Sequence, residues 1–374
     1  MKRWITLAAV AVAVCMTASA CGTGTDQGAS GGGGGADGQD VVKAAWVYVG
    51  PRNDGGWTTA HDKGRLAVEE KFGSKVETAF VENVPEEPAA AERAIESFAR
   101  KGFDIIFTTS FGFMDPTVAV AKKYPDIYFE HCSGFKSAPN MANYFGAMEE
   151  AKYLAGIAAG MVSKKDYMGS VLAFPIPEVV RLTNAFLLGA QEVNPKARMK
   201  VIFTNSWFDP QGEKSAAESL IDAGADLLSQ DVDSPATGQA AGAAGLKWVG
   251  YNSDASEFAP KAWVTAPIWD WSGYYIDRVQ AVLDGTWESH SYYGHIGDGI
   301  VDLAPYGPSV TKEAKDLIAA RRKEMISGEF QPFQGPIYDQ DGKLQVRKGE
   351  SLSLDELLSI NWWVKGMEGE RPPK

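Results

Sequence analysis

The stretch KAAWVYVG at residues 43–50 is followed by TTAHDKGRLAVEEKF at 58–72 and VETAFVE at 76–82. The first and third segments are short apolar runs that end in Gly or a polar residue. The middle one has the apolar spacing of a helix that covers a sheet. Strand, helix and strand in that order make a βα unit of a parallel sheet. The pattern continues with a helix at 87–101, a strand at 105–110, a helix at 115–124 and a strand at 127–131. Near-continuous apolar strands imply a sheet covered on both faces.

A small-residue helix at 149–162 follows the segment 143–146, and the alternation then restarts. Strands are expected at 169–174, 200–205, 227–230, 247–251 and 262–268. Helices are expected at 178–193, 212–223 and 237–244. Two successive series of similar length predict two similar doubly wound α/β lobes. A helix at 272–283 and the Gly-rich segment 289–303 cross back between them, and a helix at 311–327 and strands within 336–346 close the body. The expected division is 41–148 with 270–290 for the first lobe. The second takes 149–269 with 291–374, including a C-terminal extension. Asp339-Gln340-Asp341-Gly342 starts like a calcium loop, but Leu344 stands where that loop needs Gly, so a hairpin turn is expected.

The first forty residues read differently. Lys2 and Arg3 precede an apolar segment from Ile5 to Met16, and Thr17-Ala18-Ser19-Ala20 lead to Cys21. A positive start, an apolar run and small residues before a cleavage point make a secretory signal. A cysteine at that point predicts a lipoprotein: signal peptide 1–20, lipidation at Cys21, and anchoring at the outer face of the cytoplasmic membrane. The run is shorter than the ~20 residues a spanning helix needs. Residues 21–40, rich in Gly and Ser, are expected to be a flexible tether.

The chain has 374 residues and a formal net charge of −12. It carries no basic block to set against phosphates, which excludes nucleic acid as an expected partner. Of its three cysteines, Cys15 lies in the signal and Cys21 at the anchor, which leaves Cys132 without an intramolecular partner. An unpaired cysteine after an apolar strand is expected to pack in the core. His61, His131, His290 and His295 are not spaced as metal ligands. No phosphate-cradling loop, dinucleotide fingerprint or nucleophile elbow is present, so neither an enzyme, a cofactor nor a metal is expected.

In open parallel sheets, ligands bind beyond the carboxyl ends of the strands. Those ends are unusually aromatic and acidic here. Trp57, Phe111, Phe113, Phe174, Trp207, Trp269 and Trp271 are interleaved with Asp54, Asp209, Asp231, Asp233, Asp254 and Asp270, with Glu130 at the end of the fourth strand. Aromatic faces stack on planar rings, while carboxylates accept from ring and exocyclic N–H groups. The expected ligand is a flat, nitrogen-rich molecule.

Several motifs fall in a familiar order: Asp54-Gly55-Gly56-Trp57, Gly112-Phe113, EEAKYLAG at 149–156, Ile176-Pro177-Glu178-Val179 leading to Phe186 and Gly189, and GYNSD at 250–254. With the cysteine-terminated signal and tether, they resemble the basic membrane protein family of ABC-transporter substrate-binding lipoproteins. The resemblance implies a type I periplasmic-binding-protein fold, two lobes joined by crossover hinge strands, and capture of a purine nucleoside by hinge closure for a permease and an ATPase. It places Trp57 on the base and Thr58 at its edge, where the family usually has Phe and Asn. Asp254 matches the acid that holds ribose hydroxyls. Trp269 and Asp270 occupy the region of a lysine that usually reaches the sugar. An aromatic there fills space that ribose needs, so a free base, adenine first, is expected over a nucleoside. The expected ligand contacts are Asp54, Trp57, Thr58, Phe111, Phe113 and Glu130 from one side of the cleft. Phe174, Pro177, Trp207, Asp233, Asp254, Trp269 and Asp270 complete the set. The expected body is a monomer, and the alternatives are a purine-nucleoside binder or a ligand-sensing lipoprotein that signals to a receptor.

Overall fold

The computed structural model describes residues 41–373. The expected signal, Cys21 and the tether lie outside these residues.

Ten helices and sixteen strands of the described residues alternate along the chain. The first lobe contributes β1 (Val42–Val47), α1 (Trp57–Phe72), β2 (Val76–Val81), α2 (Pro88–Arg100), β3 (Ile105–Thr108), α3 (Met114–Lys123), β4 (Tyr128–Cys132) and β5 (Met141–Gly146). The second begins with α4 (Met148–Val162), β6 (Tyr167–Leu172), α5 (Pro177–Val193), β7 (Arg198–Phe203), α6 (Pro210–Asp222), β8 (Leu227–Asp231), α7 (Ala236–Ala243), β9 (Lys247–Val249) and β10 (Trp263–Thr265). Then come β11 (Pro267–Trp269), α8 (Ser272–Leu283), β12 (Ser291–Gly294), β13 (Val301–Leu303), α9 (Lys312–Ser327), β14 (Ile337–Tyr338), β15 (Leu344–Val346), α10 (Leu354–Leu358) and β16 (Met367–Glu368).

Two six-stranded sheets result, in the orders β12-β5-β4-β3-β1-β2 and β10-β9-β8-β6-β7-β16. All ladders in both are parallel. This is the doubly wound pair of lobes that the alternation predicts. The chain passes between the lobes three times: at Ala147, between β11 and α8, and between β12 and β13.

Two boundaries differ from the sequence reading. The expected strand 262–268 is divided at Ala266. β10 stays in the second sheet, and β11 leaves it to pair antiparallel with β13, Trp269 opposite Val301. Pro267 cannot donate a ladder hydrogen bond, which suits it to the start of a new strand. The first lobe also extends beyond residue 290, because β12 continues its sheet in parallel with β5, Ser291 opposite Asn143. The ladder is led in by the Asn143 N–H, which donates to the His290 carbonyl at 3.1 Å. The Asp339–Gly342 segment turns the β14–β15 hairpin, and β16 adds the C-terminal extension to the edge of the second sheet.

Helices α4 and α5 cross with their backbones in contact. A Cβ on Gly156 would collide with the Phe186 carbonyl, and one on Gly189 with the Tyr153 carbonyl. Backbone cannot step aside as a flexible side chain can, so each site admits only Gly. Gly189→Ala is expected to cost at least the ~1–3 kcal/mol typical of an overpacked core. Chemical denaturation would show this as a lower midpoint with an unchanged slope.

Candidate functional site

The loop that follows β1 turns into α1 through Asp54. Its carboxylate accepts from the N–H groups of Gly56 and Thr58 at 2.8 Å, of Thr59 at 3.0 Å, and from the Thr59 hydroxyl at 2.9 Å. Three orphan amides at a helix start are thus satisfied by one buried acid. Trp57 is thereby held pointing inward. Its indole N–H donates to the Thr109 carbonyl at 2.6 Å, and its ring meets His61, Trp269 and Trp271 edge to face at 4.4, 5.8 and 5.8 Å. His61 is itself buried against Trp271 at 4.8 Å, and burial drives its pKa well down, so it stays neutral.

Trp57 borders a cavity lined by Val49, Trp57, Ser110, Phe111 and Ser133 from the first lobe and Glu178, Trp207, Asp233, Tyr251 and Asn252 from the second. An open mouth of mixed polar and apolar lining adjoins it, shares Val49, Trp207 and Asp233 with it, and includes Phe174, Glu86, Asn83 and Asn205. Phe174 meets Trp207 edge to face at 5.3 Å. Ser133 and Asn252 in the cavity, and Asn83 and Asn205 at the mouth, all hold left-handed backbone at φ 56–67°. Such conformations cost ~1–3 kcal/mol each and concentrate at functional sites.

The lobes touch around this cavity. The Ser253 hydroxyl donates to the Gly55 carbonyl at 2.5 Å. Gly56 lies so close to the opposite lobe that a Cβ would sit 2.6 Å from the Asp233 carbonyl oxygen. Asp233 is oriented by a relay in which the Trp269 indole donates to Asn252 Oδ1 and Asn252 Nδ2 donates to Asp233 Oδ1, both at 2.9 Å. Burial raises the pKa of Asp233 well above the usual carboxylate range, reinforced by the charges of Asp54 and Glu213. Glu178, on the first turn of α5, is pushed up to about 7, chiefly by burial.

Behind the cavity, Lys152 of α4 is buried against Asp231 at the end of β8. Its ammonium also donates to the Gln230 carbonyl at 2.9 Å and lies 4.2 Å from the centre of the Tyr251 ring. The Thr183 hydroxyl donates to the other Asp231 oxygen at 2.8 Å. These buried charges support the wall of the site.

Of the thirteen expected contacts, Trp57, Phe111, Trp207 and Asp233 line the cavity, and Phe174 lines the mouth. Thr58 is fully buried beside Gly50. Asp54 is consumed by the helix start. The structure does not bring the others in. Phe113 is fully buried in the core of the first lobe. Glu130 accepts from Arg278 at 2.6 Å, Trp287 at 2.7 Å and Tyr274 at 2.7 Å, a structural cluster. Pro177 is exposed as the first residue of α5. Trp269 stands one layer back, stacked on Trp271 at 4.5 Å. Asp254 and Asp270 are exposed and each caps a local backbone N–H, of Ser256 and Ser272. Cys132 is buried, and burial raises its thiol pKa well above the usual range, which leaves it inert. Val49, Ser110, Ser133, Glu178, Tyr251 and Asn252 are not among the contacts expected from sequence, although Glu178, Tyr251 and Asn252 belong to the motifs at 176–179 and 250–254.

Two parallel-sheet lobes, crossed three times and closed on a cavity at their strand ends, define a two-lobed solute-binding protein of the type I periplasmic fold. The family model for ABC transporter substrate-binding proteins of the PnrA-like kind, the Bmp family, matches residues 41–331, and the chain belongs to that family. It is 46% identical to a purine-binding protein of Brucella abortus, over 90% of this chain and 96% of that one. It is 41% identical to a Haloferax volcanii protein named as an ABC-transporter glucose-binding protein, over 89% and 82% of the two chains. Among solved structures, an ABC transporter solute-binding protein of Aeropyrum pernix K1 superposes with a TM-score of 0.69 at 18% identity, covering 79% of this chain and 94% of that one.

The protein is therefore the extracytoplasmic substrate-binding component of an ABC transporter, whose partners are a small-molecule ligand, a permease and an ATPase. Its family binds solutes and does not catalyse a reaction on them. Among the described residues no helix is long and apolar enough to cross a membrane.

Proposed function

We propose that the protein captures a purine, with the free base, adenine first, favoured over the nucleoside, and delivers it to an importer while anchored through Cys21 at the outer face of the cytoplasmic membrane as a monomer. The observation that carries this reading is the cavity lining. Aromatic faces of Trp57, Phe111, Trp207 and Tyr251 surround it, Glu178, Asp233 and Asn252 reach its edge, and no cationic side chain lines it. A neutral heterocycle rich in N–H donors suits such a site, because each stacked base gains roughly 1–3 kcal/mol and the acids accept its edge hydrogens. The Brucella relative's name agrees with this class.

One feature favours the base over the nucleoside. Asp254, which the family resemblance matches to the acid that holds ribose hydroxyls in nucleoside binders, is exposed and does not line the cavity. Hinge closure follows from the contributors, since Trp57 and Phe111 come from one lobe and Trp207, Asp233 and Glu178 from the other. A ligand that touches both favours the closed arrangement over the open one.

Calorimetric titration with adenine, hypoxanthine, guanine, adenosine, guanosine and glucose tests the reading. Tight one-to-one binding of a free purine with much weaker nucleoside binding is expected. Equal or stronger nucleoside binding would return the site to the nucleoside role, and binding of glucose alone would overturn the purine assignment.

A further inference from the structure

Glu178 differs from every other acid around the cavity. Asp233 accepts from Asn252, Asp54 is consumed by four donors, and Glu86 accepts from the Ser110 hydroxyl and the Gly112 N–H. The nearest cation on its own helix, Arg181, is committed to Glu149 at 3.1 Å. Among the described residues the Glu178 carboxyl makes neither a hydrogen bond nor an ion pair, yet it lines the cavity opposite Trp57 and Phe111. A half-buried carboxyl without a protein partner keeps its hydrogen-bonding capacity free for a ligand.

On the purine reading above, we propose that Glu178 is the specificity-determining group for the purine edge, admitting adenine when it carries its proton and selecting 6-oxopurines when it does not. The chemistry is one of complementary donors and acceptors. Adenine presents a ring-nitrogen acceptor beside an exocyclic N–H donor, and a neutral carboxyl answers both, donating its O–H to the ring nitrogen and accepting with its carbonyl. A carboxylate can only accept. It therefore repels the adenine ring nitrogen, and pairs with guanine through the ring N–H and the neighbouring amino group.

The surroundings set the proton within reach. Burial raises Glu178 to about 7, Arg181 opposes this, and the charges of Asp231, Glu86 and Glu149 add to it. Glu178 in turn raises Asp233, Tyr251 and Cys132. These are the titratable and charged groups that face it from α4, α5, the ends of β4, β8 and β9, and the loop after β2. Below the folded pKa the group is neutral, and above it the group is charged.

Titration of the full chain with adenine and guanine at about pH 5.5 and about pH 8 is the test, and adenine affinity is expected to fall on the order of tenfold across that interval while guanine affinity does not fall. In the unsubstituted protein, adenine binding near the upper pH should take up a proton and guanine binding near the lower pH should release one. Titration in buffers of different ionisation enthalpy reads both. E178Q, which donates and accepts at every pH, should hold adenine affinity constant. An adenine affinity that does not change with pH would overturn the proposal, as would an E178Q protein that keeps the unsubstituted pH dependence, since the titrating group would then be another acid, Asp233 foremost. If no purine binds at either pH, the purine reading itself falls, and this assignment with it.

Discussion

Lys152→Met is expected to destabilise the protein by about 3–5 kcal/mol, the usual loss when one partner of a buried ion pair is removed. Burial lowers the Lys152 pKa and raises that of Asp231, so both groups are already strained by desolvation, and each is kept charged by the other. Without the ammonium, Asp231 keeps only the Thr183 hydroxyl and must take up a proton or remain an uncompensated buried charge. The Gln230 carbonyl and the Tyr251 face lose their cation as well. The double change Lys152→Met, Asp231→Leu should recover most of the loss, because an apolar pair of similar volume is often as stable as a buried ion pair. Thermal melts of the three proteins decide the matter. A single variant as stable as the parent would mean that the pair is already neutral.

Trp57→Ala should abolish useful ligand capture. The stacked ring contributes roughly 1–3 kcal/mol, on the order of ten- to a hundredfold in Kd. Truncation also removes the edge contacts with His61, Trp269 and Trp271 and leaves the Thr109 carbonyl without its donor. A buried Trp→Ala change costs about 3–5 kcal/mol of stability in its own right. Trp57→Phe separates the two effects. It keeps an aromatic face for the ligand and loses only the indole N–H, so it should retain most of the affinity while melting somewhat lower. Calorimetric titration beside thermal melts reads both. Equal loss of affinity in the two variants would show that Trp57 orders the site through Thr109 rather than by stacking.

The two variants probe different levels of the same molecule, and these levels were unequally legible. The βα alternation was plain from residue 43 onward, because a covered parallel sheet demands continuous apolar strands and its helices demand a different period. The strand ends were therefore known, and with them the rim that surrounds the cavity. Which side chain on that rim faces inward was not. Phe111 and Phe113 are two residues apart, but a short helical turn leaves the first 39% exposed in the cavity and sends the second into the core. Val49 and Tyr251 fall within the strands expected at 43–50 and 247–251, and Glu178 opens the helix expected at 178–193. Asp254 and Asp270 were expected contacts and are spent on local turns.

Sequence by itself determined the two-lobed α/β architecture, the order of its elements and the aromatic and acidic character of the cleft, because these follow from periodicity and composition along the chain. Tertiary structure alone decided the rest. It divided one apolar run at Ala266 between a sheet and a hinge ribbon, pressed Gly156 and Gly189 into backbone contact, joined Lys152 to Asp231 across 79 positions, and left Glu178 facing the cavity unpaired. The physical reason is that a side chain's partner is fixed by the direction of its Cβ after two lobes have packed, and that direction turns on single φ angles, such as those of Ser133 and Asn252, which residue type does not dictate.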